Sequence, residues 1–327
     1  MQFTKIFPVL TLAILAAAVS SEAQAATLRK SFNVTPGGTL TLRTDRGTID
    51  VHSANQNTVD VEVTTDAGNG SDAAKVLERF KVEFNASGAN VDVNGQYNRA
   101  SSGWLQLFDE GRLHVRFMVK VPSSYNVNIH TSGGDVTVGS VAGNVDASTS
   151  GGDLHLGDIS GTVDARTSGG AVFLYRATKP ASLKTSGGDI RVGQALAGLI
   201  ARTSGGSIQV TRADGAVELH SSGGGIEAGQ ISGSIDGSTS GGSIQAFLTG
   251  PLTADSHLSS SGGGVSVRLG SGVDCDLDAS ASGGEIDSDV PVTVQGGMSR
   301  NHLQGRVNGG GPQLVLRASG GSVEIRK

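Results

Sequence analysis

Apolar and polar residues alternate along most of the chain, in short runs that return at a regular interval. One run of each unit carries the apolar pairs Val136/Val138, Leu154/Leu156, Val172/Leu174, Ile190/Val192 and Ile208/Val210. Another run carries Val127/Ile129, Val145/Ala147, Val163/Ala165, Leu199/Ala201, Val217/Leu219, Leu277/Ala279 and Leu314/Leu316. A period of two is typical of a strand with one buried face, so the sequence predicts two short strands and two corners in each unit.

The units are separated by the triplet Ser-Gly-Gly. Its serines are Ser132, Ser150, Ser168, Ser186, Ser204, Ser222 and Ser240, each 18 residues after the last, followed by Ser261, Ser282 and Ser319. A short fixed period indicates a stacked repeat, and two strands per unit leave no room for a crossover helix. We therefore expect an all-β fold, a single-stranded β-solenoid wound as a right-handed β-helix with one coil per repeat. The alternative is an antiparallel meander in which each half-repeat is one arm of a hairpin.

The region before the repeats is β-rich and less regular. Residues 45–51 resemble a degenerate coil, and Ser71 to Phe80 predict one short helix capped at Ser71. We expect this region to cap the open end of the stack against edge pairing. The chain then divides into a signal peptide at 1–25, an N-terminal β-rich cap region at 26–122, and a Ser-Gly-Gly repeat solenoid at 123–327.

The first residues predict export. Lys5 supplies a positive charge, an apolar stretch follows at 7–19, and Ala23-Gln24-Ala25 has the small-residue pattern of a cleavage site. The apolar stretch is too short to cross a bilayer, and no second one follows it. We expect a periplasmic, extracellular or cell-surface protein with no transmembrane segment after cleavage.

Composition narrows the picture further. Glycine supplies 50 of the 327 residues and aromatic residues only 4%, so stability must come from backbone pairing and stacking rather than from a bulky core. The net charge of −5 lacks the strongly basic balance of nucleic-acid-binding domains, and we expect no nucleic-acid partner. Cys275 is the only cysteine, and because it shares parity with Leu277 we expect a buried thiol.

The order of segments resembles a known family. It consists of a Gly-Thr-Ile-Asp-Val-His strand at 47–52, a variable insert, a Phe-Met-Val-Lys-Val-Pro-Ser strand at 117–123, and reiterated Thr-Ser-Gly-Gly-Asp-Val from Thr131. This order resembles a bacterial family of unknown function, of β-strand-repeat type, that carries the label putative adhesin and is similar to autotransporter adhesin head domains. The resemblance implies a β-solenoid at the cell envelope, and it brings no catalytic motif.

Outward-facing positions stack in columns along such a solenoid. The column two residues before each serine contains His130, Ser148, Arg166, Lys184, Arg202, His220 and Ser238. Arg166, Lys184 and Arg202 place three cations on adjacent coils, about 4.8 Å apart. This basic column predicts a strip that binds an anionic polysaccharide or an envelope or surface protein, and the alternative is a solvated face.

Carboxylates are also concentrated in places. Asp274, Asp276, Asp278, Glu285, Asp287 and Asp289 all face outward by parity. Such a cluster suits a weak calcium site, and the alternative is pairing with Arg300, Arg306 or Arg317. Asp135 and Asp153 are the first pair to consider for glycoside cleavage. Against catalysis, the repeats show no aromatic sugar platform, and we expect no enzymatic activity and no cofactor.

Two further features bear on the surface. The threonines at 131, 149, 167, 185, 203 and 239 share the inward parity, which favours corner hydrogen bonds over a flat outer array. The segment from Trp104 to Phe108 is either an apolar contact loop or part of the cap. The favoured function is a non-enzymatic, secreted or cell-envelope, adhesin-like protein, with a carbohydrate-active β-solenoid enzyme and a purely structural periplasmic element as the alternatives.

Overall fold

The computed structural model describes residues 26–66, 80–97, 114–294 and 299–327, and within them the protein is all β. Strands β1 to β27 are Ala26–Asn33, Thr39–Thr44, Thr48–Ala54, Thr58–Asp66, Phe80–Ser87, Asn90–Tyr97, His114–Pro122, Asn126–Thr131, Val136–Val138, Val145–Thr149, Leu154–Ile159, Val163–Arg166, Val172–Ala177, Ala181–Lys184, Ile190–Ala195, Leu199–Thr203, Ile208–Ser221, Ile226–Thr239, Ile244–Leu248, Ser256–Ser260, Val265–Leu269, Cys275–Ala281, Ile286–Ser288, Val292–Val294, His302–Val307, Gln313–Ala318 and Val323–Arg326. No helix in these ranges is long and apolar enough to cross a membrane.

The repeats stack as parallel coils. Val145 of β10 pairs with Val163 of β12, which pairs with Ala181 of β14. This first ladder runs through β8, β10, β12, β14 and β16, and a second parallel ladder runs through β9, β11, β13 and β15. Parallel pairing excludes the antiparallel meander. Strands β17 and β18 continue from one ladder into the other, so the two ladders form one sheet that bends around the core.

The core follows the predicted alternation and adds one position to it. Every apolar pair that the sequence assigned to the interior is buried. A further inward position comes three residues after the second member of the first pair, where the chain bends and the alternation slips by one residue. Its occupants on successive coils are Ile159, Ala177, Ala195, Ala213 and Ile231, all buried. Each coil therefore contributes an additional small or medium apolar side chain between its two main strands.

The second glycine of the triplet allows the coils to approach closely. A Cβ on Gly152 would lie 2.1 Å from the carbonyl oxygen of Gly134, one coil earlier, whereas a Cβ on Gly151 would meet nothing within 4 Å. Gly134 has a φ of +113°, so a left-handed backbone conformation is used at the first of these corners. On the later coils the requirement for glycine comes from backbone contact between neighbours.

The buried threonines hold the same corners together. The Oγ1 hydroxyl of Thr185 donates to the carbonyl oxygen of Gly170 at 2.7 Å and accepts from the N–H of Gly188 at 3.3 Å. The same pair of bonds recurs at Thr149, Thr167, Thr203, Ser221 and Thr239. The predicted corner role of this column is therefore confirmed.

The N-terminal end of the stack is built out of chain order. The coil formed by β2 and β3 lies between the coil of β8 and β9 and an outer coil of β6 and β7. Antiparallel strands continue outward from it, with β5 on β6, β4 on β7 and β1 on β4. The pairing of β3 with β9 agrees with the interpretation of 45–51 as a degenerate coil.

The C-terminal end has a matching arrangement. The last coil, β26 and β27, lies between the coil of β20 and β21 and the coil of β22 and β23. Antiparallel β25 and β24 then extend the sheet beyond β22. At both ends the coil nearest the chain terminus is thus sandwiched inside the stack.

Three sequence predictions fall partly or wholly outside the described residues. The signal peptide at 1–25 and the segment from Trp104 to Phe108 lie entirely outside them. The helix expected from Ser71 to Phe80 lies outside them except for its last residue, and Phe80 begins strand β5 rather than ending a helix. No helix occurs in the ranges that the structure describes.

Candidate functional site

The basic column lies on the outer face of the first ladder. Pairing of β12, β14 and β16 sets Arg166 beside Lys184 and Lys184 beside Arg202. A parallel column two residues earlier contains Asp146, Asp164, Ser182, Ile200, Glu218 and Asp236. The register therefore places carboxylates at both ends of the face and none beside Lys184 on its own strand.

Carboxylates of the neighbouring column partly neutralise the two arginines. Arg166 forms an ion pair with Asp164, and Arg202 forms one with Glu218. Glu218 also contacts Nε2 of His220 at 2.8 Å. Burial acts to raise the pKa of Glu218, but the hydrogen bonds from Arg202 and His220 outweigh it, and the pKa is lowered. Glu218 therefore stays ionised and is committed to this network.

Lys184 has a different environment. Its neighbour two residues earlier on β14 is Ser182, and the equivalent position on the next coil is Ile200. It makes no ion pair with any residue in the described part of the chain. Lys184 is therefore the cation of the column whose charge is available to a ligand.

A shallow recess adjoins the basic column. Its volume is about 660 Å³, and its floor contains small or apolar residues, among them Pro180, Ala181, Ala197, Gly198 and Ile200. Asp164, Glu218 and Asp236 stand around it. The face thus combines a cationic strip with an apolar recess that is bordered by acids.

The late acidic residues pair mainly with arginines. Asp276 contacts Arg306 at 3.5 Å, Asp278 contacts Arg317 at 2.6 Å, Glu285 contacts Arg300 at 3.8 Å, and Asp287 contacts Arg326 at 2.8 Å. Hydrogen bonding to Arg317 lowers the pKa of Asp278. Within the described ranges no three His, Cys, Asp or Glu side chains come together as metal ligands. The three arginines named from the sequence all take part in this pairing.

Asp135 and Asp153 lie at the corners and accept backbone hydrogen bonds. Oδ1 of Asp135 accepts from the N–H of Asp153 at 2.9 Å, and Oδ1 of Asp153 accepts from the N–H of Ala171 at 2.7 Å. Asp189 repeats the pattern with the N–H of Ser207. These carboxylates join one coil to the next, and each uses an oxygen for that purpose.

Cys275 is buried, as its parity predicts. Burial raises the pKa of its thiol to about 11, and the nearby Asp276 and Asp274 add to the shift. The thiol is therefore protonated at neutral pH, which makes it a poor nucleophile.

The outer face of the second ladder carries an aromatic group that the sequence analysis missed. The rings of His155 and Phe173, on consecutive coils, stack with centroids 4.7 Å apart and an interplanar angle of 1°. The guanidinium of Arg191 lies 5.4 Å from the centroid of Phe173. Tyr175, two residues further along β13, is 72% exposed. The expectation that the repeats show no aromatic platform is therefore wrong, and the outward parity of 173 and 175 is the signal that could have revealed it.

These features define a class of protein: a parallel β-solenoid whose coils display in-register columns of side chains. The family model described as Toastrack DUF4097 matches residues 38–326, and the chain belongs to this family. The match covers the regular repeats and also the sandwiched coils at the two ends, β2–β3 and β26–β27.

Solved structures provide the second comparison. A protein described as a putative lipid binding protein from Parabacteroides distasonis ATCC 8503 is 13% identical, with a TM-score of 0.40, over 92% of this chain and 97% of that one. A putative adhesin from Parabacteroides merdae ATCC 43184 is 13% identical, with a TM-score of 0.39, over 92% and 96%. A putative adhesin from Bacteroides fragilis NCTC 9343 is 10% identical, with a TM-score of 0.31, over 92% and 96%. Among curated proteins, none matches this chain.

Proposed function

We propose that this is an exported, non-enzymatic protein of the cell envelope that binds a partner through the outer face of the first ladder. The partner is an anionic polysaccharide or an envelope or surface protein that carries equivalent negative charge. The observation that carries the proposal is Lys184, a cation with no ion-pair partner among the described residues, held between Arg166 and Arg202 by strand register.

The geometry suits an extended ligand better than a compact one. Neighbouring coils repeat at about 4.8 Å, so the three cations span roughly 10 Å along the stack. Because the parallel ladder fixes the backbone at each of these residues, little conformational entropy is lost at the site when a ligand binds. A polymer with regularly spaced negative charges can contact all three cations at once.

The carboxylates paired with Arg166 and Arg202 set the positive charge of the basic column. Asp164 and Glu218 reduce the local positive charge, so we expect moderate affinity that falls as salt is added. A polyanion can compete with these carboxylates for the arginines because both ion pairs are partly exposed. Lys184 then provides the initial contact and the arginines extend it.

A pull-down on purified envelope polysaccharide tests the proposal. The test variant replaces Arg166, Lys184 and Arg202 by alanine. The matched control replaces Arg176, Arg212 and Arg306 by alanine, which removes the same charge from other parts of the surface, where each arginine is already paired with an aspartate. We expect the test variant to lose at least ten-fold in binding and the control less than two-fold.

Equal binding by the two variants would refute the basic column as the binding site. Absence of binding by the unmodified protein, together with an envelope defect in a deletion strain, would instead support a purely structural periplasmic role. The stacked, closely packed coils are compatible with such a role.

Two finer statements complete the proposal. We infer that the coils wind as a right-handed β-helix. We also infer that export uses a signal peptide at 1–25 cleaved after Ala25. N-terminal sequencing of the protein from a periplasmic or extracellular fraction should begin at Ala26, and a start at Met1 would contradict export by this route.

A further inference from the structure

A shallow groove of about 570 Å³ crosses the outer face of the second ladder around Tyr175. Gly157 and Gly193 line it and occupy the equivalent position on the coils before and after Tyr175. A Cβ on Gly193 would lie 2.4 Å from the carbonyl oxygen of Tyr175, so close coil packing explains glycine there. It does not explain the 72% exposed phenol ring that stands between the two glycines.

The adjacent column shows what the coil spacing can accommodate. The rings of His155 and Phe173 stack at 4.7 Å from consecutive coils. Beside Tyr175 the corresponding positions have no side chain, because they are glycines. A ring from a ligand can therefore take the place next to Tyr175 that a neighbouring side chain would otherwise fill.

The polar groups around the groove indicate which ring fits. Thr137, Gln209 and Thr211 offer hydrogen bonds, and the groove is lined by His155 and Arg191 but by no carboxylate. Arg191 is the permanently charged side chain of this lining, and its ion-pair partner Asp189 lies outside the lining, so an anionic ligand would compete with Asp189 for a half-exposed guanidinium. An acyl chain would cover the hydroxyls of Thr137 and Thr211 without offering them a hydrogen bond, whereas a pyranose has an apolar face and a hydroxyl-bearing edge.

We propose that this groove is a subsite for an acidic pyranose, a sugar ring that carries a carboxylate, within a glycan. The ring face packs on Tyr175, because the C–H groups of the sugar are attracted to the negative face of an aromatic ring. The ligand's carboxylate pairs with Arg191, whose guanidinium lies over Phe173. It competes there with Asp189, which is 3.0 Å from Nη2 of Arg191 in a partly exposed ion pair of the kind that contributes little. The subsite is on the opposite ladder from the basic column and does not depend on it.

Calorimetric titration with a hexamer of galacturonic acid, and with its methyl ester, tests this subsite. The titrations use the unmodified protein and the variant that lacks the basic column, so that binding at the column cannot be mistaken for binding at the groove. In both backgrounds we expect the acidic hexamer to bind. Tyr175→Ala should weaken this binding at least ten-fold and Tyr175→Trp should retain it. Arg191→Gln should remove most of the preference for the acid over the ester.

Phe247→Ala is the matched control, because Phe247 is another aromatic residue of this ladder, with Arg268 5.8 Å from its ring centroid. It should bind like the unmodified protein. The proposal is overturned if the acidic hexamer fails to bind, if Tyr175→Ala binds as well as the control, or if the acid and the ester bind equally. Loss of binding in the variant without the basic column would also overturn the groove while leaving the column in place.

Discussion

The two consecutive glycines at a corner of the stack have very different surroundings. The position of Gly151 is open, and the position of Gly152 presses on the backbone of the previous coil at Gly134. The difference is one of contact between coils rather than of local turn conformation, and it makes the two glycines of one triplet unequal in importance.

Substitution of these two glycines should separate their roles. Gly152→Ala forces a Cβ against the Gly134 carbonyl, and we expect a loss of about 2–3 kcal/mol or more in the free energy of unfolding. Gly151→Ala places its Cβ in open space and should change stability by about 0.5 kcal/mol or less. Urea unfolding followed by circular dichroism measures both, and equal effects would show that the coils do not pack as described.

The outward position that forms the basic column has a different electrostatic environment on different coils. Arg166 has a carboxylate two residues earlier on its own strand, and Lys184 has Ser182. Sequence parity predicts that all three cations of the column face outward, and they do. The ion pair of Arg166 is with Asp164 on its own strand, whereas that of Arg202 is with Glu218 on the next strand, so the structure is needed to distinguish paired Arg202 from Lys184.

Strands within the regular repeats follow from the sequence, because a fixed period sets both their position and their partner. Val145, Val163 and Ala181 pair at the spacing that separates the serines. The extra inward position at Ile159 was missed because the alternation slips by one residue at a bend. A pattern of period two does not contain that slip.

The strand order at the ends could not be predicted in the same way. The long interval between Ser282 and Ser319 breaks the fixed spacing, and β26 then pairs with both β20 and β22. Either order of the last two coils would bury a similar alternating pattern. The N–H of Gln313, at the start of β26, donates to Oδ1 of Asp255, just before β20, at 2.9 Å, and this contact favours the observed order. Arg317 of β26 also contacts Asp278 of β22, and these two strands are neighbours in either order.

This contact between β22 and β26 predicts a pH-dependent contribution to stability. Two nitrogens of Arg317 bind both carboxylate oxygens of Asp278, at 2.9 and 2.6 Å, and the pKa of Asp278 is lowered. A carboxyl group with a lowered folded-state pKa stabilises the fold above its unfolded pKa of about 3.9, and this contribution is lost as the pH falls through the folded pKa. Asp278→Asn should therefore cost about 1 kcal/mol at pH 7 and progressively less below about pH 4.

Urea unfolding at pH 7 and at about pH 3 measures this difference. Asp274→Asn is the control, since Asp274 is exposed and makes no ion pair with the described residues. It should have little effect at either pH. A cost for Asp278→Asn that stays constant between the two pH values would argue against the ion pair.

At the scale of the whole molecule, the regular coils form a one-dimensional stack in which each coil contacts mainly its two neighbours. The corner hydrogen bonds of the threonines connect the regular coils with the same geometry, and Asp135, Asp153 and Asp189 add a further bond at their own corners. Removal of one complete coil should therefore preserve the contacts between the remaining coils, whereas removal of part of a coil should not.

Deletion of residues 145–162 removes one complete coil and brings Val163 onto Val127, where Val145 pairs in the intact protein. We expect this shortened protein to fold, with a urea m-value reduced in proportion to its smaller buried surface. Deletion of 145–161 removes one residue fewer and shifts the inward residues to the outer face. It should fail to fold cooperatively, and if both deletions behave alike the stacked-coil register is wrong.

The candidate binding surfaces could be predicted from the sequence only in part. The basic column follows from register, because one outward position repeats every coil. The recess beside Ile200 and the groove beside Tyr175 depend on where neighbouring side chains are small, and this is visible only when adjacent coils are placed side by side.

The affinity of the protein for purified envelope polysaccharide, compared between the unmodified chain and Lys184→Glu at low salt, tests the proposed function most directly. Lys184 is half-buried at the end of β14 and makes no ion pair with the described residues, so its substitution changes the charge of the column without breaking an ion pair. We predict at least ten-fold weaker binding for Lys184→Glu, and near-normal binding for Lys184→Arg. Equal affinity of the unmodified protein and Lys184→Glu would contradict binding through the basic column.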